Sequence, residues 1–145
     1  MTDAIQRKVN EGVRTAVTAA LDKKAYDLDV LAVGDLTSIA DYFILCSAGN
    51  ERQSASIADN VQEKLRIENG VKPLLVEGTT PGHWVLLDYG DFIVHVFTEE
   101  TRRFYGLERL WGDAPNVTGQ FTETDHRFGR GESKAAAPRN ARKTS

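Results

Sequence analysis

Apolar residues recur at three- and four-residue spacing between Thr2 and Lys24, at Ile5, Val9, Val13, Ala16, Val17, Ala20 and Leu21. That period places them on one stripe of an amphipathic helix, which Gly12 weakens slightly. The pattern then changes. Leu28 to Val33 alternates and is rich in branched residues, and Tyr42 to Ser47 is a short apolar run, so both read as strands joined by the Gly34–Asp41 connection. Gly49 and Asn50 end the second strand. Helical spacing returns at Ile57, Ala58, Val61 and Leu65, which predicts a helix over Glu51–Glu68 closed by Gly70. Pro73–Val76 reads as a third strand. After the Gly78–Gly82 break, Trp84–Leu87 and Phe92–Phe97 predict a hairpin. Thr98 caps a last helix, with Glu99 and Glu100 complementing its dipole and an apolar stripe of Phe104, Leu107, Leu110 and Trp111; Pro115 stops it soon after Trp111.

The order α-β-β-α-β-β-β-α implies an α/β fold, a mixed sheet of about five strands with helices packed on it. Both faces of the hairpin are apolar. Val85 and Leu87 oppose Trp84 and Leu86, while Phe92, Val94 and Val96 oppose Ile93 and Phe97. Such strands are either covered on both sides or use one face to meet another molecule.

A chain of 145 residues with 41% hydrophobic content suits one globular domain with a modest core. No apolar run approaches the roughly 20 residues of a membrane helix. The N-terminal residues Asp3, Arg7, Lys8 and Asn10 lack the apolar stretch of a signal peptide. Cys46 is alone and sits in an apolar run, which fits a reducing compartment. The expectation is a soluble cytoplasmic protein. The net charge of −3 conceals an asymmetry: Arg127, Arg130, Lys134, Arg139, Arg142 and Lys143 stand against Glu132 alone, a tail of +5 that leaves −8 on residues 1–126. The acidic body repels bare nucleic acid, so no sequence-specific nucleic-acid partner is expected. Residues 127–145 have almost no bulky apolar side chain and read as a disordered extension, serving either solubility or a salt-sensitive RNA contact.

Several groups are candidates for chemistry. Asp88 and Asp91 flank Tyr89–Gly90 at the hairpin tip, and paired carboxylates hold divalent metals in nucleotidyl-transfer sites. Asp and Gly are also ordinary turn residues, and the structural turn is the favoured reading. Asp27 and Asp29 have same-face spacing at a strand entrance, without a phosphate-cradling segment before them. Ser47 to Arg52 leads into a helix and offers an anion free N–H groups and a guanidinium, but a capped helix start accounts for it. Cys46 and His95 form the one conceivable thiol–imidazole pair, and a histidine satisfied within the core is favoured over a general base. His83 and His126 have no partners at metal-ligand spacing, so no zinc site and no cofactor are expected. Trp84, at the mouth of the Pro81–Gly82–His83 loop, is either an interface anchor or a core residue.

Asp41–Tyr42–Phe43, Glu77–Gly78, His83–Trp84, Asp88–Tyr89–Gly90–Asp91, Val94–His95–Val96 and Leu107–Glu108–Arg109–Leu110–Trp111, in that order, resemble the ribosomal silencing factor family, RsfS or Iojap. The resemblance runs from about Thr2 to Asp113. It divides the chain into a silencing-factor domain at 1–113 and a flexible basic tail at 114–145. The family fold is nucleotidyltransferase-like, which by itself does not fix function. The resemblance implies a translational repressor, not an enzyme. It would bind the large ribosomal subunit through ribosomal protein L-fourteen and sterically block association with the small subunit under nutrient limitation. It also implies partner-binding residues Trp84 as anchor, Leu86 beside it, Tyr89 at the hairpin tip, and Asp88 and Asp91 as rim charge. A homodimer in the free state is implied as well, with Leu107, Leu110 and Trp111 either self-associating or packing in the core. Two alternatives stand beside it: a metal-dependent nucleotidyltransferase-like enzyme using Asp88 and Asp91, and an RNA-binding adaptor acting through the tail.

Overall fold

The computed structural model describes residues 3–122, and the basic segment at 127–145 lies outside them. Helix α1 (Asp3–Asp22) turns Val9, Gly12, Val13, Ala16, Val17, Ala19 and Ala20 inward, as the spacing predicts. Its stripe narrows at both ends, where Ile5 and Leu21 are exposed. Gly12 has a packing reason. A Cβ there would stand 2.9 Å from the Phe92 ring, so the missing side chain lets the sheet approach the helix.

Strands β1 (Tyr26–Ala32) and β2 (Tyr42–Ala48) follow as an antiparallel pair. Helix α2 (Glu51–Lys64) then runs through a π-helical turn at Leu65–Asn69 and ends at Gly70 in the left-handed conformation. Strands β3 (Leu75–Glu77), β4 (Trp84–Asp88) and β5 (Phe92–Thr98) complete a five-stranded sheet in the order β1-β2-β5-β4-β3. The α/β mixed sheet expected from the pattern is thus formed, and β4–β5 is the predicted hairpin. Its central pair, β2 with β5, is parallel. A parallel neighbour needs a long crossover, and α2, β3 and β4 together supply it.

The final helix departs from expectation. Instead of one helix from Thr98 to Trp111 there are two, α3 (Glu99–Tyr105) and α4 (Leu107–Leu110), separated by Gly106 at φ +56°. A left-handed residue ends a helix because its carbonyl direction no longer continues the ladder. The break redirects the expected apolar stripe: Leu107 and Trp111 pack on the sheet, while Phe104 and Leu110 are 79% and 72% exposed. Thr98 makes no backbone cap and instead shares a hydroxyl contact of 2.9 Å with Thr101.

The core has two layers. Against α1 and α2 the sheet presents Leu28, Val30, Ile44, Cys46, Val85, Leu87, Phe92, Val94 and Val96. Its other face carries Leu31, Phe43, Leu45, Ile93 and Phe97, with Trp84, Leu86, Leu107 and Trp111 only partly buried around them. The domain boundary expected at residue 113 falls short. Phe121 is buried in the helix-side layer, edge-on to Tyr42 at 5.5 Å and with the Arg14 guanidinium 5.6 Å above its ring. Asn116 bridges Leu31, and the Thr118 hydroxyl accepts the Val30 N–H at 2.9 Å. Residues 114–122 therefore belong to the fold, because they satisfy the otherwise free edge of β1. No helix among the described residues is long and apolar enough to cross a membrane.

Candidate functional site

The second face of the sheet is where the candidate residues meet. Alternation along β4 puts Trp84, Leu86 and Asp88 on it, opposite the fully buried Val85 and Leu87. The preceding loop needs Gly78 at φ +82°, since a Cβ there would stand 1.9 Å from the Trp84 carbonyl oxygen. The Trp84 ring lies 5.0 Å from Phe97 and 4.8 Å from Tyr105, and Phe104 stands edge-on to Tyr105 at 5.0 Å. A continuous aromatic run thus leads from the core at Phe97 out to an exposed ring at Phe104.

His95 lies beneath this run. The Trp84 indole Nε1–H donates to His95 Nδ1 at 3.1 Å. The imidazole is held edge-on to Phe43 at 5.1 Å and parallel to Phe97 at 6.0 Å. Burial pushes its pKa down from 6.5 to about 4, so it is neutral near pH 7.

The far side of the same face is covered by a polar network centred on Arg102. Its guanidinium donates to Asp29 Oδ2 at 3.1 Å, to Glu108 Oε2 at 2.7 Å, to the Ser47 hydroxyl at 2.9 Å and to the Asp27 carbonyl. Asn116 donates to the other Asp29 oxygen at 3.1 Å. Asp29 is 1% exposed, so this is a buried, fully engaged ion pair and not a solvated strand end. It anchors α3 and, through Glu108, α4.

The hairpin tip divides differently from the expectation. Asp88 Oδ1 accepts the Gly90 N–H at 2.8 Å, the geometry of a structural Asx turn. Asp91 is exposed beside it, and its carbonyl receives the Asp41 N–H at 2.8 Å. Tyr89 is not brought to Trp84. It stacks on Phe92 at 5.1 Å against the helix-side layer, where burial pushes its hydroxyl up to about 12. The reason is the turn: Gly90, at φ +89°, reverses the chain and drops the Tyr89 ring over the strand that follows.

The other candidates resolve as structural features. Cys46 faces α1 and α2, where burial raises its thiol to about 12, while His95 faces the opposite side of the sheet. An extra residue in β1, with Asp27 at φ +50°, breaks the alternation that gave Asp27 and Asp29 their same-face spacing. Asn50 caps α2 by accepting the Gln53 N–H at 2.8 Å, and Gln53 reaches back to the Gly49 N–H at 2.7 Å. His83 pairs with Glu51 at 3.0 Å on the surface. Among the described residues no group of three or more His, Cys, Asp or Glu is placed to hold a metal ion.

Two members of the face, Tyr105 and Phe104, are absent from the sequence-based candidates, and His95 is weighed there only as a partner for Cys46. For His95 a signal existed. The tight turn fixes the register of Trp84 opposite Phe97, which makes His95 its diagonal neighbour, within reach of an aromatic side chain.

The geometry has parallels among known proteins. A family model described as ribosomal silencing factor during starvation, RsfS, matches residues 6–145. The match continues past Asp113, where the motif-based resemblance stops. The ribosomal silencing factor RsfS of Halalkalibacterium halodurans is 41% identical over 107 residues, covering 74% of this chain and 91% of its own. The corresponding protein of Bacillus subtilis is 39% identical over 103 residues, covering 71% and 86%. A solved structure of a Chromobacterium violaceum protein is similar with a TM-score of 0.68 at 38% identity, covering 70% of this chain and 84% of that one.

Proposed function

This chain belongs to the ribosomal silencing factor family, and on that premise we propose that it represses translation by docking on the large ribosomal subunit. The partner is ribosomal protein L-fourteen, at the surface the small subunit would otherwise occupy. Inhibition is by occlusion: no bond is made or broken, and the protein acts as a regulator in the cytoplasm under nutrient limitation. The observation that carries this reading is the half-open second face, where Trp84 and Leu86 remain partly exposed on β4 beside a β5 whose residues are all buried. A large ring on a well-supported strand is the form an interface anchor takes.

Charge supports the same partner. The −8 body and the acidic groups Asp88 and Asp91 at the hairpin tip complement a basic ribosomal protein, which speeds encounter and sets orientation. Asp88 and Asp91 serve as rim residues, and Tyr89 supports the turn from the other side. Leu110, exposed on α4, is available for self-association of the free protein as a homodimer.

The test is a subunit-joining experiment. Purified large and small subunits are mixed with saturating protein and resolved on a density gradient. Joined ribosomes should diminish while the protein migrates with the large subunit. Undiminished joining at saturation contradicts the proposal.

A further inference from the structure

His95 makes one hydrogen bond and leaves one unmade. The indole Nε1–H is only a donor, so the Nδ1 that faces it at 3.1 Å is the acceptor and the imidazole proton resides on Nε2. That Nε2 is buried and has no hydrogen-bond partner among the described residues. An unpaired buried donor is a local penalty. It stands in a strand whose neighbours Ile93, Val94, Val96 and Phe97 are all apolar, where an aliphatic residue would pack without it. Packing therefore does not account for a histidine at this position, and the bond made by Nδ1 does.

That bond has two consequences for Trp84. It fixes the orientation of a partly exposed ring that otherwise packs ring to ring against Phe97 and Tyr105. It also takes up the one polar group the indole owns. We infer that His95 is the positioning residue of the docking face: it orders the Trp84 ring in advance and commits the indole N–H internally, so that the ring recognises an apolar, carbon-lined patch on its partner. The inference rests on the docking reading above and deepens it. A partner contact built on a hydrogen bond from Trp84 would require the His95 bond to break, whereas an aliphatic contact keeps it. Ordering a side chain before association removes a cost that is otherwise met on binding.

The experiment uses the full chain and two readouts. Proton–nitrogen correlation spectra contain the indole signals of Trp84 and Trp111, and Trp84→Phe identifies which is which. In His95→Leu the Trp84 indole signal should move and exchange faster with solvent, and affinity for isolated large subunits should fall by about threefold to tenfold. His95→Asn, whose side-chain oxygen lies near the position of Nδ1, should restore both. An unchanged indole signal in His95→Leu overturns the inference, as does a moved signal with undiminished affinity. Should His95→Leu lose its dispersed amide spectrum, His95→Asn decides: a protected indole signal with near-wild-type affinity supports the inference, and a lost signal with intact affinity overturns it. Wild-type protein that does not bind large subunits sinks the docking reading and this inference together, whereas normal wild-type binding with an indifferent His95→Leu sinks the inference alone.

Discussion

The two faces of the sheet are drawn from equally apolar sequence but are finished in different ways. One is sealed by α1 and α2 with mainly aliphatic side chains, and the few polar groups buried there, such as the Ser54 and Tyr89 hydroxyls, make no hydrogen bond among the described residues. The other is closed by Arg102 and its acceptors at one end and left partly open around Trp84 and Leu86 at the other. The sealed face needs only complementary volume. The half-open face needs specific polar bonds to hold α3 and α4 in place and to orient a ring that solvent still reaches. Interaction surfaces arise where the chain stops covering itself, and what surrounds such a gap is rigid by construction.

The contrast is broken most severely at Arg102. Arg102→Ala leaves the Asp29 carboxylate buried without its cation, and the expected loss is about 3–5 kcal/mol in denaturant unfolding. The double variant Arg102→Ala with Asp29→Ala should lose less than the sum of the two single losses, because the uncompensated charge is gone. Additive losses would show that the network does not act as a unit.

Acid probes the same face through His95. Its folded pKa of about 4 lies below the ordinary 6.5, so the unfolded chain takes up the proton more readily than the folded one. The stabilisation is fully present above pH 6.5 and is lost as pH falls through about 4, an effect of about 3 kcal/mol. Unfolding free energies measured from pH 7 to pH 4 should fall in the wild type, with that part of the slope missing in His95→Leu. Equal slopes would place the acid sensitivity elsewhere.

Much of this architecture was legible in the residue pattern, and what was not has a common cause. Periodicity reports a residue's own element, so α1, α2, the hairpin and the two apolar faces of β4 and β5 could be read directly. Chain neighbourhood does not report which distant strand lies alongside, so the parallel pairing of β2 with β5 and the return of residues 114–122 to β1 were invisible. Gly106 carried a local signal, a left-handed stop, that a single apolar stripe from Phe104 to Trp111 overrode. At the site, Trp84 and Leu86 were legible from alternation. Tyr89 was legible as a residue of the hairpin tip, but the direction of its ring was not, because it depends on the turn at Gly90, and His95 and Arg102 make their bonds to partners many residues away.

The most direct measurement is co-sedimentation with isolated large subunits, comparing wild type with Trp84→Ala at matched folded content. If the partly exposed Trp84 ring anchors the docking face as proposed, its removal should weaken binding by about 2 kcal/mol, roughly 30-fold, while the sealed face keeps the protein folded. A folded Trp84→Ala protein that sediments as well as wild type would contradict the assignment of the half-open face as the docking surface.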